Sequence, residues 1–359
     1  MKFIHMADMH FDTSFTTLTN KADLGDIRRL DQREAFKKII DYIKENNIEY
    51  LFISGDFYEH NYIKLTTIEY INNLFKQIPD TQIFIAPGNH DPYLKNSFYN
   101  KFYWNENVHI FESKTSVFER EGIDIYGYGF DDFYYTNHDL ENMTIKNPDK
   151  INILVAHGTL NASETAEKEY NPISEKMLVE KNFDYVALGH IHKKDYSTKE
   201  NQKIVYPGSV VSLGFDELGE HGVIVGDIEK GKLKLEFMSV DNKEFVVEEL
   251  DVTDVLDIEE LATIINTNYN VKNNYYKIDL IGYKNFELDL FKLNKLILNN
   301  NVIKIKDKTK LNYDLEKIST ENTLRGLFIK EILNMKNNSE IDEQILSDAI
   351  EIGFGILDK

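Results

Sequence analysis

Short apolar runs alternate with helix-period stretches along the first part of the chain. The runs KFIHM, YLFIS and QIFIA predict buried strands, because they are short, apolar and rich in β-branched and aromatic residues. Between them, apolar residues recur on one helical face, which predicts helices from about Gln32 to Glu45 and from about Leu65 to Gln77. This alternation indicates α/β layering.

The pattern changes after Asp149, where strands recur at shorter intervals. The runs INILVA, YVALG and IVYPG predict three further strands. GVIVGDI and KLKLEFM predict a hairpin that turns across Glu229 to Gly231. This region therefore adds antiparallel sheet to the α/β pattern.

From about Glu248 the chain is rich in Asn and Lys around a few amphipathic elements. The pattern predicts a helix near Ile258 to Ile265, a strand near Tyr275 to Ile281, a helix near Leu288 to Leu298 and a strand near Val302 to Ile305. Two further amphipathic helices close the chain, with a break at Asn337, Asn338 and Ser339. We therefore expect two domains, residues 1–247 and residues 248–359, the second a small α/β unit.

Composition agrees with a globular chain. The 359 residues are 42% hydrophobic and 12% aromatic, which is enough to bury a sizeable core. The formal net charge of -20 argues against binding nucleic acid by overall attraction, so local features would have to draw an anionic substrate.

The sequence lacks cysteine and long apolar segments, and both absences restrict the kinds of site and the location that we expect for the protein. There is no cysteine, which excludes disulfides, thiolate nucleophiles and thiolate metal sites. Asp8 interrupts the apolar N-terminus where a signal peptide needs a continuous stretch, and no run approaches the length of a membrane span. We therefore expect a cytoplasmic protein that does not bind membranes.

Polar residues follow five of the predicted strands, at the positions where open α/β sheets bind ligands. The segments ADMH, SGDF, GNHD, AHG and GHIH supply Asp8, His10, Asp56, Asn89, His90, Asp91, His157, His190 and His192. Taken singly, each segment is also explained as an ordinary turn or a structural histidine. Without His90 and Asp91, they gather two carboxylates, an amide and four imidazoles, which predicts a site for two metal ions.

The residues of the GNHD segment are expected to have different roles, some at the metal ions and some at the substrate. Asn89 offers a neutral oxygen, which suits a site where more negative charge would repel a phosphate. His90 is adjacent and can hardly share the metal of Asn89, so we assign it to the substrate, where it could stabilise the transition state or protonate the leaving oxygen. Asp91 is expected to orient His90 and to raise its pKa. A turn with a capping aspartate would explain the rest of the segment without requiring His90.

In this order, the five segments resemble the signature of the calcineurin-like metallophosphoesterases, which runs DxH, GD, GNHD, H and GHxH. Within that family, MKFIHMADMHFDTSF, GNHDPY, GHIHKK and YPGSVV resemble the SbcD-type DNA repair exonucleases. The resemblance covers about the first 240 residues. It implies a two-sheet sandwich flanked by helices, followed by a smaller C-terminal α/β capping domain.

The resemblance also implies how the ligands divide. One metal ion would be held by Asp8, His10, Asp56 and His192, and the other by Asp56, Asn89, His157 and His190, with Asp56 bridging. His90 would act on the transition state, with Asp91 as its partner. Oxygen and imidazole ligands without sulfur suit manganese, iron or zinc, and the family favours manganese. Two ions roughly 3.5 to 4 Å apart would stabilise the attacking and leaving oxygens.

The implied function is a metal-dependent phosphodiesterase, a DNA exonuclease or endonuclease of SbcD type that processes DNA ends in repair. The alternative is a metallophosphoesterase with another substrate, such as a cyclic nucleotide or a phosphoprotein. The family also implies an SMC-like ATPase of the SbcC type and a homodimer as partners. The last two helices could dock that ATPase or pack on the capping domain.

Local basic residues are the features that could draw DNA to so acidic a chain. Lys193 and Lys194 directly follow the last metal motif. Six more concentrate in the C-terminal unit, namely Lys292, Lys295, Lys304, Lys306, Lys308 and Lys310. These lysines could contact phosphates, or they could form a solvated face.

One position departs from the family pattern. Many nucleases of this group have GDxxH at the second motif, and their histidine helps at the cleavage step. Here Glu59 occupies that position and His60 follows it. Either His60 substitutes along a different backbone path, or this chain works without that histidine. We favour the second interpretation.

Overall fold

The computed structural model describes residues 1–15, 24–134, 139–161, 171–194, 202–311, 313, 315–338 and 343–357. The chain divides into two compact units. The first consists of Met1–Val247, Tyr269–Lys277 and Asn300–Lys304, and the second of Glu248–Asn268, Ile278–Asn299 and Ile305–Lys359. The interpretation of residues 248–359 as a capping domain stays a prediction.

The strands and helices are numbered here in chain order. The strands are β1 Lys2–Met6, β2 Tyr50–Ile53, β3 Gln82–Ile85, β4 Val108–Ile110, β5 Ser116–Arg120, β6 Ile123–Gly127, β7 Ile151–His157, β8 Thr159–Leu160, β9 Pro172–Ile173, β10 Tyr185–Gly189, β11 Ile204–Val205, β12 Gly222–Glu229, β13 Lys232–Ser239, β14 Glu244–Asp251, β15 Asn274–Ile281, β16 Tyr283–Lys284, β17 Val302–Asp307 and β18 Lys310–Leu311. The α-helices are α1 Leu24–Asn46, α2 Leu65–Phe75, α3 Phe98–Lys101, α4 Glu175–Lys181, α5 Ile258–Asn268, α6 Leu290–Leu296, α7 Leu315–Ser319, α8 Leu324–Asn338 and α9 Glu343–Leu357.

Two large sheets form the first unit within the described part of the chain. One has the order β13-β12-β1-β2-β3-β4, in which β1 to β4 are parallel and β12 and β13 form the predicted antiparallel hairpin. The other has the order β11-β10-β7-β6-β5 and is parallel except for β5. The prediction of a mixed α/β fold with two sheets is confirmed.

Side chains alternate across the central strands, so each sheet has two buried faces. The core between the sheets includes Phe3, Phe52, Phe84, Ile153, Val155 and Ala187. Their sequence neighbours face outward, where Ile4, Leu51 and Ile83 pack with Phe36 and Ile39 of α1. On the far side of the second sheet, Leu154 and Val186 pack with Leu178 of α4. The arrangement is therefore a sandwich covered by helices on both outer faces.

Several predicted boundaries were wrong. Helix α1 begins at Leu24, before the predicted start at Gln32, because its first turns bury the polar residue Arg28 instead of an apolar stripe. Only Ile204–Val205 of the run IVYPG forms a strand. Helix α8 continues through Asn337 and Asn338, where a break was predicted, and Ser339 lies outside the described residues. The strands β4, β5, β6, β8, β9, β14, β16 and β18 and the helices α3, α4 and α7 were not predicted.

The second unit contains the predicted helix near Ile258, which is α5, and the two closing helices. A three-stranded sheet has the order β14-β15-β17, and the residues of each of these strands are divided between the two units. Helices α8 and α9 share a small core of Ile329, Ile350 and Phe354.

Among the helices that the structure describes, none has both the length and the apolar character needed to cross a bilayer.

Candidate metal centre

The five segments follow neighbouring parallel strands, which explains why they converge. In the first sheet β1, β2 and β3 lie side by side, and in the second sheet β7 and β10 do. Parallel neighbours end at the same sheet edge, so residues just after these strands meet there. Backbone hydrogen bonds join the first two loops, from Asp8 N to Gly55 O at 3.1 Å and from His10 N to Asp56 O at 2.9 Å.

The backbone at this edge is locally strained. The φ angle is 51° at Asp8, 48° at His10 and 50° at Asp56. His190 has a φ of 108°. Non-glycine residues seldom adopt such angles, which cluster at functional sites because the surrounding structure must hold them in place. Four predicted ligands therefore owe their direction to a conformation that the fold imposes.

Two glycines leave the room that these side chains occupy. A Cβ atom at Gly88 would collide with the carboxylate and the backbone nitrogen of Asp56. A Cβ atom at Gly189 would collide with the carbonyl oxygen of Ser54. Both glycines directly precede predicted ligands, so the close approach of the loops requires them.

One group of donors consists of Asp8, His10 and His192, whose ligand atoms all lie within 4.8 Å of one another. The Nε2 atoms of His10 and His192 are 3.1 Å apart. Asp8 Oδ1 lies 3.9 Å from His192 Nε2. Asp8 and His10 are buried, and His192 is partly exposed.

The second group contains Asp56, His157 and His190, which also lie within 4.8 Å of one another, together with Asn89. Asn89 Oδ1 is 3.0 Å from His157 Nε2 and 3.2 Å from His190 Nδ1. Asp56 Oδ2 lies 3.3 Å from His157 Nε2 and 3.9 Å from His10 Nε2. Asp56 therefore faces both groups, as a bridging carboxylate would. All seven predicted ligands are brought together.

The far ring nitrogens of three imidazoles are fixed by different acceptors. His10 Nδ1 lies 2.8 Å from Glu59 Oε1, and His192 Nδ1 hydrogen-bonds Glu217. His157 Nδ1 instead lies 2.9 Å from the backbone oxygen of Ser54. Such partners set the tautomer and the orientation of an imidazole ligand. Two carboxylates therefore support the first group and a backbone carbonyl supports the second.

The electrostatics of the centre favour positive charge. Burial lowers the pKa of His157, but the charges of Asp56 and Asp8 outweigh burial and raise that pKa to about 9. Burial likewise lowers the pKa of His192, while the hydrogen bond to Glu217 and the charge of Asp8 raise it to about 9. The carboxylates thus create a field that a cation would satisfy.

The donor set fits divalent metal ions. The Nε2 atoms of His10 and His192 are only 3.1 Å apart, and these imidazoles are combined with two buried carboxylates and an amide oxygen. Nitrogen and oxygen ligands without sulfur are those of manganese, iron and zinc sites. One cation would be held by Asp8, His10 and His192 and another by Asn89, His157 and His190, with Asp56 between them.

His90 lies beside this centre and outside the two predicted ligand sets, although a ring nitrogen of His90 also lies within 4.8 Å of ligand atoms of His10 and Asp56. Its ring packs edge-on against His10, with centroids 4.8 Å apart, and 45% of its side chain is exposed. Burial lowers the pKa of His90, but the hydrogen bond to Glu59 and the charge of Asp56 outweigh it and raise that pKa to about 9. A protonated, exposed ring can reach a phosphate at the centre.

The expected role of Asp91 in orienting His90 was wrong, although the charge of Asp91 does contribute to the raised pKa of His90. Asp91 accepts hydrogen bonds from the backbone of Asp56 at 3.0 Å, of Phe57 at 2.7 Å and of Gly88 at 2.6 Å, and from the hydroxyl of Tyr99 at 2.6 Å. Its carboxylate is therefore used to hold the loops together. Glu59 takes the expected place, with Oε2 at 3.0 Å from His90 Nδ1.

Two residues around the centre were missed or misjudged from the sequence. The sequence analysis did not predict Glu217, which lies in the loop after the YPGS segment and has no motif of its own. Glu59 was noted only as a departure from the family pattern. His60 does not join the centre: its ring packs edge-on against Phe133, and no hydrogen-bond partner is found for its buried Nδ1.

Comparisons with known proteins place the chain in a family of phosphoesterases. The family described as calcineurin-like phosphoesterase matches residues 1–194. The uncharacterized metallophosphoesterase YhaO of Bacillus subtilis is 24% identical over 279 residues, covering 75% of this chain and 68% of YhaO. The D subunit of nuclease SbcCD from Staphylococcus epidermidis is 26% identical over 336 residues, covering 83% of this chain and 84% of that protein.

A solved structure, TT1561 of Thermus thermophilus, covers 66% of this chain and 98% of its own, with 13% identity and a TM-score of 0.37. The family match spans more than half of the 359 residues. The fold and the site define a metal-dependent hydrolase of phosphoesters. The chain belongs to the calcineurin-like phosphoesterase family.

Proposed function

We propose that the chain is a two-metal phosphodiesterase that cleaves DNA, a nuclease of SbcD type acting in the processing of DNA ends. The observation that supports this most is the convergence of seven donors from five strand ends on two adjacent positions that share Asp56. Residues 1–247 would form the nuclease domain and residues 248–359 a capping domain. An ATPase of the SbcC type and a second copy of the chain would be its partners.

The chemistry follows from the donors and from His90. Two divalent cations, manganese in this proposal, would polarise the phosphodiester and lower the pKa of bound water. His90 would hydrogen-bond a phosphate oxygen through Nε2, since its Nδ1 is held by Glu59. The same ring could protonate the leaving oxygen. Asp91 would keep the loops that carry Asp56 and His90 in register.

DNA as the substrate rests on similarity to the nuclease subunit, which extends well beyond the 194 residues of the family match. Charge alone does not support it, because several C-terminal lysines are engaged locally. Lys292 pairs with Glu259 at 2.7 Å and Lys308 pairs with Asp279 at 2.6 Å. These contacts favour a solvated face over a phosphate-binding surface for that group of lysines.

The test compares substrates on the purified full chain with Mn²⁺. Labelled double-stranded and single-stranded DNA are assayed beside bis(p-nitrophenyl) phosphate, a small diester. We expect cleavage of DNA that EDTA abolishes and that His90→Ala reduces by 100-fold or more, about the scale of a lost acid or oxyanion contact. Glu69→Gln, at an exposed position of α2, serves as the unaffected control.

The assay with the small diester shows whether a negative result with DNA concerns the substrate or the hydrolytic activity itself. Robust turnover of the diester without DNA cleavage would overturn the nuclease proposal and leave a phosphodiesterase for another substrate, such as a cyclic nucleotide. Turnover of p-nitrophenyl phosphate or a phosphopeptide alone would indicate a phosphatase instead. Absence of all three activities with Mn²⁺, Fe²⁺ and Zn²⁺ would contradict the hydrolytic assignment of the site.

A further inference from the structure

Glu59 lies between a metal-ligand candidate and the residue assigned to the substrate. Its Oε1 is 2.8 Å from His10 Nδ1, and its Oε2 is 3.0 Å from His90 Nδ1. The side chain of Glu59 is only 14% exposed. One carboxylate therefore touches two imidazole rings that the function gives different tasks.

The proton positions follow from the chemistry of the acceptor. An ionised carboxylate only accepts hydrogen bonds, so both rings must present an N–H from Nδ1. In the neutral ring, this leaves the lone pair of His10 on Nε2, the atom that would bind the cation. His10 Nε2 lies 3.1 Å from His192 Nε2, the second imidazole nitrogen of the same ligand group. The same arrangement also turns Nε2 of the half-exposed His90 ring away from Glu59.

We propose that Glu59 is a positioning residue that sets His10 for the cation and His90 for the phosphate with a single carboxylate. The inference rests on the proposed function. Glu59 would then connect the metal ligand His10 to the substrate residue His90. In the sequence pattern of related nucleases, a histidine occupies this position. A neutral imidazole has one acceptor nitrogen and could not accept from both rings.

Glu217 offers a natural comparison, because it holds the other imidazole of the same ligand group. Its carboxylate hydrogen-bonds His192 Nδ1, Ser209 Oγ at 2.8 Å and Leu213 N at 3.1 Å. Among these contacts none involves His90. Glu217 should therefore act on cation binding alone, whereas Glu59 should act on cation binding and on turnover at saturating metal.

The first experiment measures Mn²⁺ binding without catalysis. Free Mn²⁺ is followed by electron paramagnetic resonance while the full-length protein is titrated. Because partners of metal ligands are typically worth 10- to 100-fold in affinity, we expect Glu59→Gln and Glu217→Gln each to weaken Mn²⁺ binding by about 10-fold or more. Glu69→Gln removes the same negative charge at an exposed position, so this variant should bind Mn²⁺ as tightly as the wild type does. Wild-type affinity in Glu59→Gln would overturn the proposal.

The second experiment asks whether Glu59 acts through His90. The kcat for bis(p-nitrophenyl) phosphate is measured at saturating Mn²⁺ for Glu59→Gln in the wild-type and in the His90→Ala backgrounds. We expect about a 10-fold loss of kcat in the first background and almost none in the second, since the coupling disappears with the ring. An equal loss in both backgrounds would overturn the link to His90.

The variant Glu59→Asp distinguishes a loss of positioning from a loss of folding. Glu59→Asp keeps the charge but is one methylene too short to span both rings, so it should lose Mn²⁺ affinity or kcat while unfolding at the wild-type temperature. Wild-type values of both quantities would contradict the geometric argument. The diester and the binding titration do not involve DNA, so failure of the nuclease proposal leaves both experiments interpretable.

Discussion

His60 follows Glu59 but takes no part in the centre. Its side chain packs against Phe133, and only its backbone nitrogen reaches the centre's loops, by donating to the carbonyl of His90 at 2.9 Å. We expect His60→Ala to keep most phosphodiesterase activity, within about 3-fold of the wild type, because no donor or substrate group is lost. The measurement is kcat/KM for the small diester with Mn²⁺.

His90→Ala is the comparison for that variant. It removes the exposed ring beside His10 and should reduce kcat far more than it changes KM, as expected for a group that acts in the transition state. If His60→Ala falls to the level of His90→Ala, then His60 substitutes for the family's histidine after all. The interpretation made from the sequence would then be wrong.

The stability of the fold should depend on His5 in acid. His5 is buried, with ring nitrogens at 2.9 Å from the hydroxyl of Tyr185 and 3.1 Å from that of Ser54. Burial lowers the pKa of His5 from 6.5 to about 3. Since the folded pKa is the lower one, the unfolded chain binds the proton first as the pH falls. Stability from the neutral ring is therefore fully present above pH 6.5 and is lost progressively toward pH 3.

The free energy of unfolding in urea measures this effect. Below pH 6.5 the loss from His5 approaches about 1.4 kcal/mol per pH unit, and His5→Gln should lack it. Between pH 6.5 and 5 we expect the wild type to lose about 1 to 2 kcal/mol more than the variant. Both proteins are measured in EDTA, so that release of cations does not contribute. Parallel pH profiles would contradict the assignment.

At the residue level, the sequence predicted which donors meet but not what holds them. The ligands follow apolar strands, and the rule that parallel strands end at one sheet edge is enough to bring them together. The partners of the rings depend on the path of each loop. Glu217 lies in a different loop from His192, and the turn at Asp91 directs its carboxylate to Asp56, so spacing along the chain carries no signal for either contact.

One buried cation connects helix α1 to the loop after β11 and to the loop after β13. Arg28 has no exposed side-chain surface, donates to the backbone oxygen of Ser212 at 2.8 Å and forms an ion pair with Asp241. Asp241→Asn would leave Asp31, at 3.3 Å, as the remaining carboxylate partner of that guanidinium. We expect a loss of about 3 kcal/mol in the free energy of unfolding, since unpaired buried charges are costly.

An exposed pair on the same helix provides the control. Arg29 pairs with Asp26, whose side chain is 74% exposed. Asp26→Asn should change stability by less than about 1 kcal/mol, as surface ion pairs usually do. Urea denaturation of the two variants gives both values. A loss for Asp241→Asn no larger than that for Asp26→Asn would show that the buried pair is not needed.

Elements were predictable where apolar periodicity was strong and not where polar groups replaced it. The central strands and α2 follow their patterns closely. The start of α1 was missed because its first turns bury Arg28 and Gln32, which satisfy backbone carbonyls of other segments. Strand β5, at the edge of its sheet, carries Glu119 and Arg120 and has no fully buried residue, so its sequence gives little strand signal.

For the molecule as a whole, the proposed binding of DNA would have to overcome a net charge of -20. Lys193 is exposed and directly follows His192, so it is placed to contact a phosphate near the centre. We expect Lys193→Ala to raise the KM for DNA several-fold and to reduce the salt dependence of binding by about one unit of slope, with little effect on the small diester.

The neighbouring lysine is the matched control. Lys194 Nζ lies 3.9 Å from the centroid of the Phe237 ring and 3.3 Å from Glu220, so its charge is already engaged. Lys194→Ala should therefore affect DNA binding less than Lys193→Ala does. Fluorescence anisotropy with labelled DNA at several salt concentrations gives both slopes. Equal effects of the two changes would argue against a specific phosphate contact at Lys193.

The acidic centre also links metal binding to the stability of the whole fold. A cation that binds the folded chain and not the unfolded one adds about 2.7 kcal/mol at 100 times its dissociation constant. Mn²⁺ should therefore raise the unfolding temperature by several degrees, and EDTA should reverse the rise. Asp56→Asn removes the carboxylate that faces both donor groups, so most of that rise should disappear in this variant, while Glu69→Gln keeps it. Differential scanning calorimetry measures the shift. A full rise in Asp56→Asn would contradict the assignment of Asp56 as the carboxylate shared by the two cations.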